Sequence, residues 1–239
     1  MKFAGMIKHS LVDYPGKIAA VLFTRGCNFC CPFCHNGQLL IKPGKIEAEY
    51  ISWQEVVTFL EGRSNFLDAV VISGGEPCLH PELTNALSQI RAAGYLTKID
   101  TNGSRTSILA EMMLEFLLDY VAMDIKGVLD YKRYLEACGG RLSTEDFFNV
   151  KGSIHLLQNA DDIEVEFRTT VLPSLHSPED IVAIARYLEG ASKYSLQQFN
   201  PRNTLNPDYR YIKPYSRETL LDIAEECRRY VKEVRLTNT

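Results

Sequence analysis

The sequence has no long hydrophobic run, no basic tract, no internal repeat and no Gly/Ser-rich linker. Each absence removes a class of protein. The longest apolar stretches, residues 18–23 and 112–118, fall far short of the roughly 20 residues that cross a bilayer. The opening MKFAGMIKHSLVDYPG lacks the apolar core and small-residue cleavage site of a secretory leader, so a cytoplasmic protein without membrane attachment is expected. Lys and Arg number 26 against 30 Asp and Glu, a formal net charge of −4. Release of counterions from phosphates is then a poor source of affinity, and nucleic acid is not an expected partner. With no linker to divide them, residues 1–239 read as one domain, a length at which a single core is ordinary.

What is present is concentrated. Four of the seven cysteines lie between residues 27 and 34. In a reducing compartment such a group is not a disulfide framework, which leaves metal binding or redox chemistry. The loop reads Gly26-Cys27-Asn28-Phe29-Cys30-Cys31-Pro32-Phe33-Cys34-His35-Asn36 and directly follows an apolar, strand-like run. Cys27, Cys31 and Cys34 are spaced C-x3-C-x2-C. Thiolates are the natural ligands of iron–sulfur clusters. Three of them around a four-iron cubane leave one iron open, much as a catalytic metal site keeps a vacant position. Two other readings stay open on spacing alone. One is zinc on Cys27-x2-Cys30 with Cys31-x2-Cys34, although those pairs abut without the usual spacer; the other is a dithiol redox pair. Cys30 duplicates the spacing to Cys34 and is expected to point away from a cluster. Cys78, Cys138 and Cys227 read as buried small apolar residues.

Apolar, β-rich runs at 19–24, 69–73, 96–101, 120–124, 164–171 and 193–199 alternate with helical patterns. A helix is expected from Ser52, whose Ser-Trp-Gln-Glu is a capping box with Glu55, and another after Pro81 on Leu83, Leu87 and Ile90. Further helices are expected at 106–118, 145–158, 178–188 and 216–231. This alternation means βαβ units, an α/β fold and a parallel sheet. Six strands are too few for a complete eight-fold barrel; a partial barrel and a doubly wound sheet fit the periodicity equally. Both gather ligands beyond the carboxyl ends of the strands. Ser73-Gly74-Gly75-Glu76-Pro77, Asp100-Thr101-Asn102-Gly103, Met123-Asp124-Ile125-Lys126, and Gln198 with Asn200 all fall at such ends, and Arg168 lies within the fifth strand.

Together these residues resemble the radical S-adenosylmethionine superfamily, in which C-x3-C-x2-C follows the first strand with an aromatic, here Phe33, before the last cysteine. The run Cys34-His35-Asn36 and the upstream Val12-Asp13-Tyr14-Pro15-Gly16 resemble the glycyl-radical-enzyme activating enzymes. Residues 11–36 are most similar to the group that activates anaerobic ribonucleoside-triphosphate reductase. The motifs extend from residue 12 to about 200.

The resemblance implies a partial (β/α)6 TIM-like barrel with mainly parallel strands. It implies a [4Fe–4S] cluster on Cys27, Cys31 and Cys34, and S-adenosylmethionine held by Phe33, Asn36, Gly74, Gly75, Glu76, Pro77, Asp100, Thr101, Asn102, Asp124, Lys126, Arg168 and Gln198. In that scheme the GGEP segment meets the methionine amino group and Arg168 the carboxylate. Asp100 and Thr101 serve the ribose and methionine portions, and Gln198 and Asn200 lie toward the adenine. Asp100, Thr101 and Asp124 would also hold a monovalent cation, and His35 would shape the loop without ligating. The implied reaction is reductive cleavage of S-adenosylmethionine to a 5′-deoxyadenosyl radical, which takes hydrogen from a glycine of a partner enzyme. Anaerobic ribonucleotide reductase is the expected partner. A pyruvate formate-lyase type enzyme, or a small molecule such as a deazaguanine precursor, is the alternative. A flavodoxin or ferredoxin would supply the electron, and residues 201–239 would either recognise the partner or close the barrel.

Overall fold

Strand formation starts where β-branched and small apolar residues run uninterrupted. The computed structural model describes residues 1–40 and 50–238. Its chain begins with β1 (Lys2–Phe3), β2 (Gly5–Ser10) and β3 (Ala19–Thr24), and β4 (Ile51–Ser52) leads into α1 (Trp53–Leu60). There follow β5 (Ala69–Gly74), α2 (Leu83–Ala92), β6 (Leu96–Thr101), α3 (Thr106–Leu114), β7 (Tyr120–Asp124), α4 (Tyr131–Ala137) and α5 (Thr144–Gln158). The remainder is β8 (Glu164–Val171), α6 (Pro178–Tyr187), β9 (Lys193–Gln198), α7 (Arg217–Cys227) and β10 (Glu233–Thr237).

The capping boxes act as expected. Ser52 accepts from the Glu55 N–H while Glu55 accepts from the Ser52 N–H, and Ser177 and Asp180 do the same for α6. Each arrangement satisfies two backbone donors that an open helix end would leave without partners.

One eight-stranded sheet has the order β10-β9-β8-β7-β6-β5-β3-β2. It is parallel from β3 to β10, and β2 pairs antiparallel on the outer edge of β3. The six expected strands form its centre. Both edge strands, and the short α4 capped by Asp130, are additions to the sequence reading. β2 has three consecutive exposed residues and no alternation to betray it.

The choice between barrel and doubly wound sheet is settled by which faces are covered. Outward residues of the strands, among them Val70, Ile72, Val121, Met123 and Phe167, join Val56, Leu83, Leu87, Ile154 and Ile184 of the helices in one large core. Burial of each such side chain contributes roughly 1.5–3 kcal/mol. The inward face forms a separate cluster of Ala19 and Val21 of β3, Ala69 and Val71 of β5, and Tyr120 and Ala122 of β7, with Tyr14. On a flat sheet β3 and β9, five steps apart, would be separated by about 24 Å. Residues of both, and of every strand between them, line one cavity of about 410 Å³, so the sheet curls. The molecule is a partial barrel with helices on its outer face only. Among the described residues no helix is long and apolar enough to cross a membrane.

Candidate active site

Every parallel strand points its carboxyl end at the same mouth, so the loops that follow them line one cavity of about 410 Å³. Cys27, Cys31 and Cys34 line it, with Phe29, Phe33, His35 and Asn36 of the same loop. Gly74 and Gly75 come from the end of β5, and Asp100, Thr101 and Asn102 from that of β6. Asp124 and Lys126 follow β7, while Arg168 and Gln198 come from β8 and β9.

Cys30 is not on the lining. Its N–H donates to the Cys138 carbonyl at 3.0 Å. Its own carbonyl lies so close to Gly139 (φ +68°) that a Cβ there would stand 2.0 Å away. Among the described residues no three His, Cys, Asp or Glu side chains converge as a mononuclear metal site requires. The three lining thiols are therefore spread about the cavity, not closed on one point. Burial, and then the charge of Glu76, push the Cys27 thiol up to about 12, and burial also raises Cys34. Cys31 is lowered, and the neighbouring buried Cys138 thiol is the largest cause. Cys138 thus supports a neighbouring sulfur, a role its sequence surroundings do not signal.

The two glycines after β5 are required by the approach of another backbone. Gly74 has φ +120°, and a Cβ on it would lie 2.4 Å from the Thr24 backbone. A Cβ on Gly75 would lie 1.9 Å from the Gly26 carbonyl oxygen. Hydrogen bonds from Gly75 N–H to Thr24 O (3.1 Å) and from Glu76 N–H to Gly26 O (2.8 Å) hold this crossing. The root of the cysteine loop therefore rests directly on the glycine turn.

Glu76 and Pro77, expected among the cofactor contacts, lie behind the lining. Glu76 is fully buried. Its carboxylate accepts from Cys78 N–H (3.0 Å), the Thr101 hydroxyl (2.7 Å) and Asn102 N–H (2.7 Å). Held in this way, Asn102 donates from Nδ2 to Asn28 Oδ1 at 3.0 Å and to Cys27 Sγ at 3.7 Å. Donors to a ligating sulfur are a recognised means of setting a cluster's potential.

Opposite the cysteines lies a half-buried ion network. Arg168 Nε donates to Asp124 Oδ1 at 2.8 Å, and Lys126 Nζ to Asp124 Oδ2 at 2.9 Å. Arg168 Nη1 (3.3 Å) and Lys98 Nζ (2.9 Å) stand at ion-pair distance from Asp100 Oδ1 without hydrogen-bond alignment. Burial by itself would raise both carboxyls. Burial is the largest influence at each, but Arg168 and Lys98 together outweigh it at Asp100, and Arg168 and Lys126 together at Asp124, so both stay below the usual carboxylate range. Arg168 and Lys126 are correspondingly pushed above their ordinary values against the effect of burial.

The expected trio for a monovalent cation is otherwise engaged. Asp100 and Asp124 are paired with protein cations, and Thr101 gives its hydroxyl hydrogen to Glu76. Gln198 is on the lining and donates to the Tyr215 carbonyl at 2.7 Å. Asn200 is exposed and off the lining. His35 is exposed at the rim of the cavity, its carbonyl accepting from Asn203 Nδ2 at 3.2 Å. The following segment also grips the loop through Asn206 N–H to Pro32 O at 2.9 Å.

Two residues absent from the sequence reading belong to the site. Lys98 shares the inward face with Asp100, a placement the two-residue strand period would have signalled. His176, 1% exposed, accepts from Leu172 N–H on Nδ1 (3.2 Å) and donates from Nε2 to the Lys126 carbonyl (2.9 Å). Only its fold neighbours reveal it.

Three lining thiols facing a cationic network at the mouth of a partial barrel make a cofactor-dependent barrel enzyme. The family model of the Radical SAM superfamily matches residues 21–187. A Methanocaldococcus jannaschii protein named for glycyl-radical enzyme activation is 32% identical over 235 residues, covering 97% of this chain and 93% of the relative. The pyruvate formate-lyase-activating enzyme of Clostridium pasteurianum is 29% identical over 201 residues, 82% of this chain and 79% of that enzyme. Streptococcus suis SuiB bound to S-adenosylmethionine shares the fold with a TM-score of 0.62 at 16% identity, over 91% of this chain, which spans about half (51%) of SuiB. The chain belongs to the Radical SAM superfamily and, within it, to the family of the glycyl-radical enzyme activating enzymes. Membership implies a [4Fe–4S] cluster and S-adenosylmethionine.

Proposed function

We propose that Cys27, Cys31 and Cys34 hold the [4Fe–4S] cluster and that the adjoining cavity binds S-adenosylmethionine. The product activity is the activation of a partner enzyme by removal of hydrogen from a backbone glycine. The observation that carries this reading is the placement of three thiols, and not the fourth, on one cavity with a half-buried Arg–Asp–Lys network. The donor set suits the group: soft sulfur ligands for iron, and a guanidinium for a carboxylate. When bound, the cluster supplies one electron that splits S-adenosylmethionine into methionine and a 5′-deoxyadenosyl radical.

The chain's own part is orientation and exclusion of water. Asp100 and Asp124 fix the Arg168 fork so that its remaining donors face the cavity for the methionine carboxylate. The backbone at Gly74 and Gly75 receives the ammonium group. Buried Phe29 and Phe33 keep water from the sulfur side. Asn102, Lys126 and Gln198 bound the rest of the ligand, and Asn36 secures the loop through its bond to Gly74 O at 3.3 Å. A monovalent cation is left out of this reading, because the two carboxylates are already neutralised by protein cations.

Anaerobic ribonucleoside-triphosphate reductase is the proposed target, supported by the resemblance of residues 11–36 to the group that activates it. A pyruvate formate-lyase type target is the second reading, favoured by the Clostridium relative. A flavodoxin or ferredoxin is the proposed electron donor. In the test, anaerobically reconstituted protein is mixed with S-adenosylmethionine, reductant and each partner in turn. A glycyl radical EPR signal should appear with the reductase. Its appearance only with the formate-lyase would transfer the assignment, and its absence with every partner, despite cleavage, would favour a small-molecule substrate. In Cys31→Ala, iron content and cleavage should both collapse while the protein stays folded. Full cleavage by that variant would end the proposal.

A further inference from the structure

Lys98 is a cation in an unusual position. It lies on β6, a central strand, two residues before Asp100, with its side chain only 3% exposed. A buried ammonium is costly unless it is paired and hydrogen-bonded. This one is fixed on three sides. It donates to the Asp13 carbonyl at 2.5 Å, stands 2.9 Å from Asp100 Oδ1, and lies 5.3 Å from the centre of the Tyr120 ring. The carbonyl belongs to the loop that inserts Tyr14 into the barrel against Tyr120, ring centres 5.4 Å apart. The ammonium therefore has little freedom to leave.

Its effect on the cavity follows from charge. Among the side chains in direct contact, Asp100 and Asp124 carry two negative charges and Lys98, Lys126 and Arg168 three positive ones, leaving a surplus of one. Asp13, the other carboxylate on the lining, accepts from the Ser10 hydroxyl at 2.5 Å, a neutral donor that leaves its charge in place, so that with Lys98 the site as a whole is balanced. Without Lys98 the site would carry one net negative charge, and Asp100 would draw on Arg168 alone. Arg168 already gives Nε to Asp124 and turns Nη1 to Asp100.

We propose that Lys98 is a tethered counter-ion and positioning residue: its ammonium stands beside Asp100 where a monovalent metal ion would otherwise be needed. It offsets the Asp100 charge so that the cavity is not net negative toward the methionine carboxylate and Arg168 is spared for it, and makes binding of S-adenosylmethionine independent of the alkali cation present. The proposal rests on the reading that S-adenosylmethionine occupies this cavity.

The experiment measures the Kd of S-adenosylmethionine for the reconstituted holoenzyme at constant ionic strength in sodium, potassium and lithium chloride. Wild-type protein should give one value in all three. Lys98→Met should bind roughly ten- to a hundredfold more weakly, the range of a lost charge-assisted contact. Added potassium or methylammonium should restore much of that loss while iron content is unchanged. A lysine of purely structural importance would lower the melting temperature without cation-specific rescue, and that result overturns the proposal. So does Lys98→Met binding like wild type, or a severalfold change in the wild-type Kd between sodium and lithium. If Lys98→Met does not fold, Lys98→Gln takes its place and the wild-type cation series decides independently. Wild-type holoenzyme that binds no S-adenosylmethionine in any salt would instead overturn the underlying functional reading, a result distinct from a loss confined to the variants.

Discussion

Glu76 offers the sharpest separation between touching the cofactor and bracing its site. All three of its partners are donors: Cys78 N–H and the Thr101 hydroxyl on Oε1, and Asn102 N–H on Oε2. A carboxylate satisfies all three; a carboxamide cannot. In Glu76→Gln the amide oxygen would take the two donors on one side, which forces the amide NH2 against the Asn102 N–H. One buried donor is then left unmade, at a cost of about 1–3 kcal/mol. In a protein of this length, 2 kcal/mol lowers Tm by roughly 4–8 °C. The disturbance lands on Asn102, whose side chain reaches Cys27 Sγ. Iron retained per chain after desalting should therefore fall together with Tm, while protein that keeps its cluster should bind S-adenosylmethionine with little change in Kd. Thermal melting with parallel iron analysis and ligand titration tests this. A variant that melts like wild type but binds S-adenosylmethionine tenfold more weakly would refute the brace and make Glu76 a direct contact.

Other substitutions probe the remaining joints. Gly75→Ala places a methyl 1.9 Å from the Gly26 carbonyl, a backbone atom that cannot swing aside, so a loss of about 3 kcal/mol and poor cluster retention should follow; normal melting and iron content would contradict the crossing. Cys30→Ala should keep both iron and cleavage, whereas Cys34→Ala should lose both; equal loss in the two would place Cys30 among the ligands. His176 is held neutral by burial, its folded value below the ordinary 6.5. Its contribution is therefore complete above pH 6.5 and is lost as pH falls below that value, since the unfolded chain takes up the proton more readily. Melting of wild type should accordingly drop more steeply between pH 7 and 5 than melting of His176→Gln, and parallel curves would disprove it. Asp180, on the surface of α6, is held down to about 2 by its hydrogen bonds to Arg133, so Asp180→Ala should cost about 1 kcal/mol at pH 7 and almost nothing near pH 2, as read by chemical denaturation.

The chemistry was legible where residue type and spacing alone carry it. Cys27, Cys31 and Cys34 with Gly74-Gly75, Asp100 and Asp124 at successive strand ends announced the superfamily before any coordinate, because strand periodicity places such ends on one side of a parallel sheet. The six central strands and the capping boxes at Ser52 and Ser177 were readable for the same local reason. Edge strands were not. β2 lacks alternation, and β10 lies in a tail where the apolar pattern reads on from α7.

Sequence by itself thus determined the alternating α/β order, the three spaced thiols and the segments that gather at the strand ends. Tertiary structure decided what distance and enclosure control. It closed the sheet into a partial barrel, since only the convergence of strand ends from β3 to β9 on one cavity separates that from a flat sheet. It turned Cys30 outward through a backbone bond to Cys138, moved Glu76 from the lining to a brace, and set Lys98 beside Asp100. Those outcomes depend on contacts between residues far apart in the chain, and no local pattern encodes the distance between two charges across a barrel.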